Sequence, residues 1–123
     1  MKDALHNSLK RLIEEGGTQN FLIINLGENY YIQVAGEFYS SHLLLEAVSN
    51  HYLPSDKQLS TVLQKKTLDL GWEAPKGEGN YSYRVSINSA EEYNSCIEFI
   101  HKTAKEIFDV NDIENSMIEL NLE

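Results

Sequence analysis

Residues 21–37 have the sequence FLIINLGENYYIQVAGE, and their pattern determines the predicted architecture. Two apolar runs, 21–26 and 30–35, flank Gly27-Glu28-Asn29, which is typical of a tight turn. A third apolar run, residues 41–48, follows shortly after Gly36-Glu37. Because short glycine-containing connections join neighbouring strands in antiparallel order, the sequence predicts a three-stranded meander.

One helix is predicted before this meander in the sequence and another after it. The first, residues 3–15, has its leucines on one face of a helix, and the glycines 16–17 are expected to end it. The second is expected to begin with Ser55 or Asp56 as its N-cap and to end at Gly71. The apolar positions that these helices carry are Leu5, Leu9, Leu12, Ile13, Leu59, Val62, Leu63 and Leu70.

The clearest periodicities lie in the C-terminal half. Residues 81–87 alternate apolar and polar side chains, which predicts a half-buried strand. Ser89 is followed three residues later by Glu92, the spacing of a capping box at the start of a helix. The apolar positions of that helix are Tyr93, Ile97, Ile100, Ala104 and Ile107.

The order α-β-β-β-α-β-α predicts an α+β fold in which an antiparallel sheet packs with helices. We expect a single domain over residues 1–123, with a core of about 3–108 and an acidic but apolar-rich C-terminal extension, 109–123. Because this extension contains Ile113, Met117 and Leu120, it is expected to pack on the sheet or on a partner chain.

Charge disfavours several classes of function. The chain has 19 acidic and 10 basic residues, a formal net charge of −9, which argues against nucleic-acid and anionic-membrane partners. Nine of the acidic residues lie in residues 89–123, against two lysines. This acidity has two interpretations: it keeps the protein soluble, or it attracts a basic partner.

The sequence offers little for catalysis or metal binding. It has no nucleophile elbow, phosphate-binding loop, dinucleotide fingerprint or zinc-binding motif. Cys96 is the only cysteine, so no intramolecular disulfide can form. It lies beside an apolar helical stripe and is expected to be buried and inert. We therefore predict no catalytic, cofactor or metal site, and a cytoplasmic location. The histidines, His6, His42, His51 and His101, are scattered.

The first and third strands are apolar on both faces, and this pattern suggests a binding surface. A sheet of this kind must be covered on both sides, either by the helices of the same chain or by a second chain. In the second case, polar side chains of the meander would anchor a partner within an apolar patch. The candidate protein-binding residues are Tyr31, Gln33, Leu44, Glu46 and Val48.

Short motifs give a family resemblance over residues 18–110. They are YIQVA (31–35), LLEAVSN (44–50), LGWEAP (70–75), and Asn80 followed by Arg84. In this order and spacing they resemble the TY-Chap domains, relatives of YbjN and of the type III secretion chaperones. The family motif positions, for which we expect structural roles, are Trp72, Pro75, Asn80 and Arg84.

The resemblance implies a homodimer that binds an unfolded segment of a client polypeptide. The leading hypothesis is therefore a non-enzymatic peptide-binding chaperone or adaptor. An immunity-type protein that neutralises a basic toxin domain is the alternative, and an enzyme on a small α+β scaffold comes third. The acidic C-terminal third is compatible with the immunity hypothesis.

Overall fold

The computed structural model describes residues 2–15, 20–36 and 42–122, and this part of the chain forms three α-helices and one five-stranded antiparallel sheet. In chain order, the elements are α1 (Lys2–Glu15), β1 (Phe21–Gly27), β2 (Tyr30–Gly36), β3 (His42–Ala47), α2 (Thr61–Leu70), β4 (Tyr81–Ser86), α3 (Ala90–Glu106) and β5 (Ile118–Asn121). Across the sheet the strands lie in the order β4-β3-β2-β1-β5. The predicted α+β fold is confirmed. The expected helix stop at 16–17 lies outside the described residues.

The β1–β2 hairpin turns at the predicted position. Glu28 and Asn29 have φ angles of 55° and 73°, in the left-handed region. A tight turn with two such residues matches the right-handed twist of the flanking strands. Gly27 also has a positive φ, and the register shifts between Asn25 and Gly27, so a bulge accompanies the turn.

One face of the sheet, the inner face, forms the floor of the hydrophobic core. Its central side chains are almost completely buried, and the buried residues of α1 and α3 belong to the same cluster. Lys66 of α2 forms an ion pair with Glu106 at 3.3 Å, which places α2 beside the end of α3. The buried inner-face residues are Leu22, Ile24, Leu26, Ile32, Val34, Leu43, Leu45, Ala47 and Tyr81.

Helix α2 begins later than predicted. Ser60 is its N-cap, and the Ser60 hydroxyl accepts a hydrogen bond from the Leu63 amide at 3.2 Å. The Asn50 side chain binds both the amide and the carbonyl of Leu59, at 2.7 and 3.1 Å, so Leu59 is fixed outside the helix. The prediction of Ser55 or Asp56 as N-cap was therefore wrong, and Val62 faces solvent with 75% exposure.

Helix α3 confirms the predicted start. The Ser89 hydroxyl accepts from the Glu92 amide at 3.1 Å, while the Glu92 carboxylate accepts from the Asn88 amide at 2.9 Å. The first contact satisfies an amide that the first turn of a helix leaves without a partner, and the second joins the residue before the N-cap to the same turn. The apolar stripe behind them is buried, including Ile97, Ile100 and Ala104.

The C-terminal segment contributes a strand that the predicted element order lacks. Strand β5 pairs antiparallel with β1, with Leu120 opposite Leu22 and Ile118 opposite Ile24. Ile113 is completely buried. The segment therefore packs on its own sheet, as expected, and the expected core of residues 3–108 leaves out both β5 and Ile113.

Candidate peptide-binding face

The sheet has a second face, opposite the core. The side chains that form two rows across this face are all partly or fully exposed. Because directly paired residues of antiparallel strands point to the same side, the register defines rows across the strands. The first row is Asn121, Phe21, Ala35, Leu44 and Arg84. The second row is Glu119, Ile23, Gln33, Glu46 and Ser82. We call these two rows, together with Asn25 and Tyr31, the open face.

The register brings four of the five predicted binding residues together. Gln33 lies directly opposite Glu46, and Leu44 lies opposite Ala35, one position along the same side of β2. Tyr31 precedes Gln33 on the same side of β2. The sequence left this alignment of β2 with β3 open.

Val48 does not belong to this surface, so its assignment as an exposed binding residue is corrected. Strand β3 ends at Ala47, and the Val48 amide donates to the Tyr31 carbonyl at 3.2 Å. The Val48 side chain is completely buried in the core cluster. Strict alternation from Leu44 fails here because the chain leaves the strand before Val48.

The first row is apolar in its centre. The small Ala35 side chain lies between the larger Phe21 and Leu44, one strand away on each side. Strand spacing of about 4.8 Å separates Phe21 from Leu44 by roughly 10 Å, which leaves a notch above Ala35. Ile23 of the second row adjoins Phe21 on β1. The notch and its walls form a half-buried apolar patch on the open face.

Acidic side chains border this patch. Glu46 is half-buried and Glu119 is exposed, and both lie in the second row. Neither carboxylate has a hydrogen-bond or ion-pair partner among the described residues. Both are therefore available to groups outside the chain. Arg84 is exposed at the β4 end of the first row.

One corner of the open face is fixed by hydrogen bonds. The Asn80 amide nitrogen donates to the Tyr31 hydroxyl at 3.0 Å, and its oxygen accepts from the Ser49 amide at 3.0 Å. The Ser49 hydroxyl in turn donates to the Gly79 carbonyl at 2.9 Å. Asn80 thus ties the 72–80 loop to β2 and holds the Tyr31 ring in place.

Trp72 lies away from the open face. It is buried, and its indole nitrogen donates to the Thr103 hydroxyl of α3 at 3.0 Å. Its ring packs against Phe99, with centroids 5.1 Å apart, and Phe99 stacks on Tyr83 at 4.3 Å. The Trp72 side chain therefore joins the loop after α2 to α3 and the inner side of β4. Pro75, in the same loop, is half-buried.

A family model matches residues 3–112, which is most of the chain. Its description is "T3SS (YopN, CesT) and YbjN peptide-binding chaperone 3", or TY-Chap3. The chain belongs to the TY-Chap3 family. The resemblance drawn from the short motifs is confirmed. No curated protein and no solved structure matched the chain.

The TY-Chap3 match includes β1 to β4 and therefore most of the open face. Strand β5 lies beyond the matched residues, so Glu119 and Asn121 of the open face fall outside them. Phe21, Ile23, Ala35 and Glu119 were not among the residues proposed from the sequence. The doubly apolar pattern of β1 already indicated Phe21 and Ile23.

Chemistry outside this face is sparse in the described residues of this TY-Chap3 chain. They contain no group of three or more acidic, histidine or cysteine side chains that could hold a metal ion. Burial raises the pKa of the Cys96 thiol to about 11, so the thiol is protonated at neutral pH and is a poor nucleophile. Within the described ranges, no helix has the length and apolar character needed to span a membrane.

Proposed function

We propose that this chain binds an extended segment of a client polypeptide on the open face and keeps that segment soluble, without catalysing a reaction. One observation carries the proposal: Phe21, Ala35 and Leu44 form a continuous apolar row on the side of the sheet opposite the core. Membership in a family of peptide-binding chaperones supports a polypeptide as the ligand.

An apolar patch on this side of the sheet contributes little to the core of the folded chain. Covering such side chains by a partner removes apolar area from water, at about 25 cal/mol per Å². The half-buried Gln33 and the Tyr31 hydroxyl add polar groups at the border of the patch. Apolar centre and polar rim together are the usual composition of a binding surface.

The test measures binding of a synthetic probe by the folded chain and its variants. The probe is a fluorescently labelled, unstructured peptide of about a dozen residues with leucine at alternate positions, the side-chain repeat of an extended chain. We expect Leu44→Asp and Ile23→Asp each to weaken binding by tenfold or more, because each places a charge in the apolar patch. Fluorescence anisotropy measures the affinity.

Val62→Asp is the matched control, since Val62 is 75% exposed on α2 and lies outside the open face. It introduces the same charge on another part of the surface and should leave probe binding unchanged. Circular dichroism must show that all three variants are folded. Folded Leu44→Asp and Ile23→Asp variants that bind the probe as tightly as the unmodified chain would contradict the proposal.

We propose in addition that the protein is a homodimer, as the doubly apolar strands and the family resemblance suggest. A second copy on the open face would compete with the client segment for the same surface, so a mass by light scattering that Leu44→Asp lowers and Val62→Asp does not would assign this face to the dimer and contradict peptide binding there. A mass near 14.0 kDa for the unmodified chain at micromolar concentration would refute the dimer. This result would leave the peptide-binding proposal intact.

A further inference from the structure

The second row of the open face contains two acidic side chains, one on each side of Ile23 and Gln33. Glu119 on β5 and Glu46 on β3 are separated by β1 and β2, where Ile23 and Gln33 occupy the row. Three strand spacings of about 4.8 Å place the two positions roughly 14 Å apart. Neither carboxylate has a partner among the described residues, so both charges are presented to a ligand.

This distance matches a repeat of the extended polypeptide chain. A strand advances about 3.4 Å per residue and alternate side chains point the same way, so side chains at i and i+4 lie roughly 14 Å apart on one side. A peptide that crosses the sheet along the second row therefore brings these two side chains over Glu46 and Glu119. Its side chain at i+2 comes down midway, between Ile23 and Gln33.

The surroundings decide which side chain suits each position. Carboxylates at the two ends favour lysine or arginine, since an opposite charge at contact distance is attractive and a like charge is repelled. The middle position borders Ile23 and, one row away, the notch above Ala35, which favours an apolar side chain. Arg84, the exposed cation of the open face, lies in the other row.

We propose that the client segment is extended, crosses the strands, and carries the pattern cation-x-apolar-x-cation, with its cations on Glu46 and Glu119. This inference rests on the proposed peptide-binding function and adds the chemical class of the client and its direction over the sheet. It gives two particular carboxylates a role that net charge alone does not assign.

The experiment compares synthetic peptides that differ only in these positions. The reference peptide contains lysine at i and i+4 and leucine at i+2. In a second peptide glutamine replaces both lysines, and in a third the second lysine is moved to i+3, where it faces away from the sheet. We expect the glutamine peptide to bind about four- to twentyfold more weakly and the shifted peptide about two- to fivefold more weakly, since exposed ion pairs are modest.

Variants assign the two cations to the two carboxylates. Glu46→Gln and Glu119→Gln should each lower the affinity for the reference peptide about two- to fivefold. Neither variant should change the affinity for the glutamine peptide much. Asp69→Asn is the matched control, because Asp69 is exposed on α2 and lies outside the open face. It should change neither affinity.

The outcomes separate this inference from the function beneath it. Equal affinity for the lysine and glutamine peptides, with Leu44→Asp still abolishing both, overturns the charge pattern while peptide binding stands. The charge pattern is also overturned if the lysine peptide binds more tightly than the glutamine peptide but Glu46→Gln and Glu119→Gln do not change its affinity. Failure of all three peptides to bind overturns the open-face function and, with it, the inference.

Discussion

Leu44 and Leu45 are neighbours on β3, yet they lie in different environments. Leu45 is completely buried in the core cluster on the inner face, between Val34 of β2 and Tyr83 of β4. Leu44 points the other way, is half-buried, and lies between Ala35 and Arg84. The same residue type thus stabilises the fold on one face and remains available for a partner on the other.

The largest expected effect is the difference between these two leucines on substitution by aspartate. Leu45→Asp would bury an unpaired charge in the core and should lower the free energy of unfolding by about 4 kcal/mol or more. Leu44→Asp should change it by about 1 kcal/mol or less, because the carboxylate remains in contact with water. Urea denaturation measures both. Equal losses of stability would mean that Leu44 is a core residue.

The second expected effect is alkaline destabilisation on the inner side. The folded-state pKa of Cys96, about 11, is above its ordinary value of 9.0 because burial disfavours the thiolate. The folded state therefore retains the thiol proton to a higher pH than the unfolded state does. The stability that the protonated thiol contributes is intact below pH 9 and is lost as the pH rises towards 11. The loss should reach about 2–3 kcal/mol.

Cys96→Ala removes this titration. The difference in unfolding free energy between the unmodified chain and the variant should shrink between pH 8.5 and pH 11. Burial and, to a lesser extent, the charge of Cys96 raise the pKa of Tyr93 to about 12, so in both proteins Tyr93 stays largely protonated in the folded state up to pH 11. A difference that is independent of pH would contradict burial of the thiol.

The smallest expected effect concerns β5, where the two faces can be compared at adjacent positions. Leu120 is half-buried and packs against the core, whereas Glu119 is exposed on the open face. Leu120→Ala should cost about 1 kcal/mol of stability, and Glu119→Ala less than about 0.5 kcal/mol. Thermal denaturation measures both. Equal, negligible losses would show that β5 adds little to the fold.

Most of the fold could be predicted from the sequence because local patterns specify it. Alternation defined β4, the apolar runs defined β1 to β3, and the Ser89 capping box defined the start of α3. The start of α2 was missed because the Asn50 side chain fixes Leu59 from nine residues away, a contact with no local signal. Strand β5 was missed because its few residues follow an acidic, irregular segment.

Less of the candidate site could be predicted. The alternation of β2 and β3 placed Tyr31 with Gln33 and Leu44 with Glu46, but only the strand register unites the two pairs. Glu119 could not be placed on this surface without knowledge that β5 pairs with β1. Ala35 could not be recognised as the floor of the notch, because Phe21 and Leu44 lie on the two neighbouring strands and only the register places them beside it.

Methyl-group NMR with the lysine-containing probe peptide tests the central claim most directly, because the two faces of one sheet carry separate methyl signals. We expect the peptide to shift the methyl signals of Ile23, Ala35 and Leu44 on the open face. Those of Val34 and Leu45 on the inner face should remain in place. Shifts confined to the helices or the inner face, with the open-face methyl signals unchanged, would contradict binding at this surface.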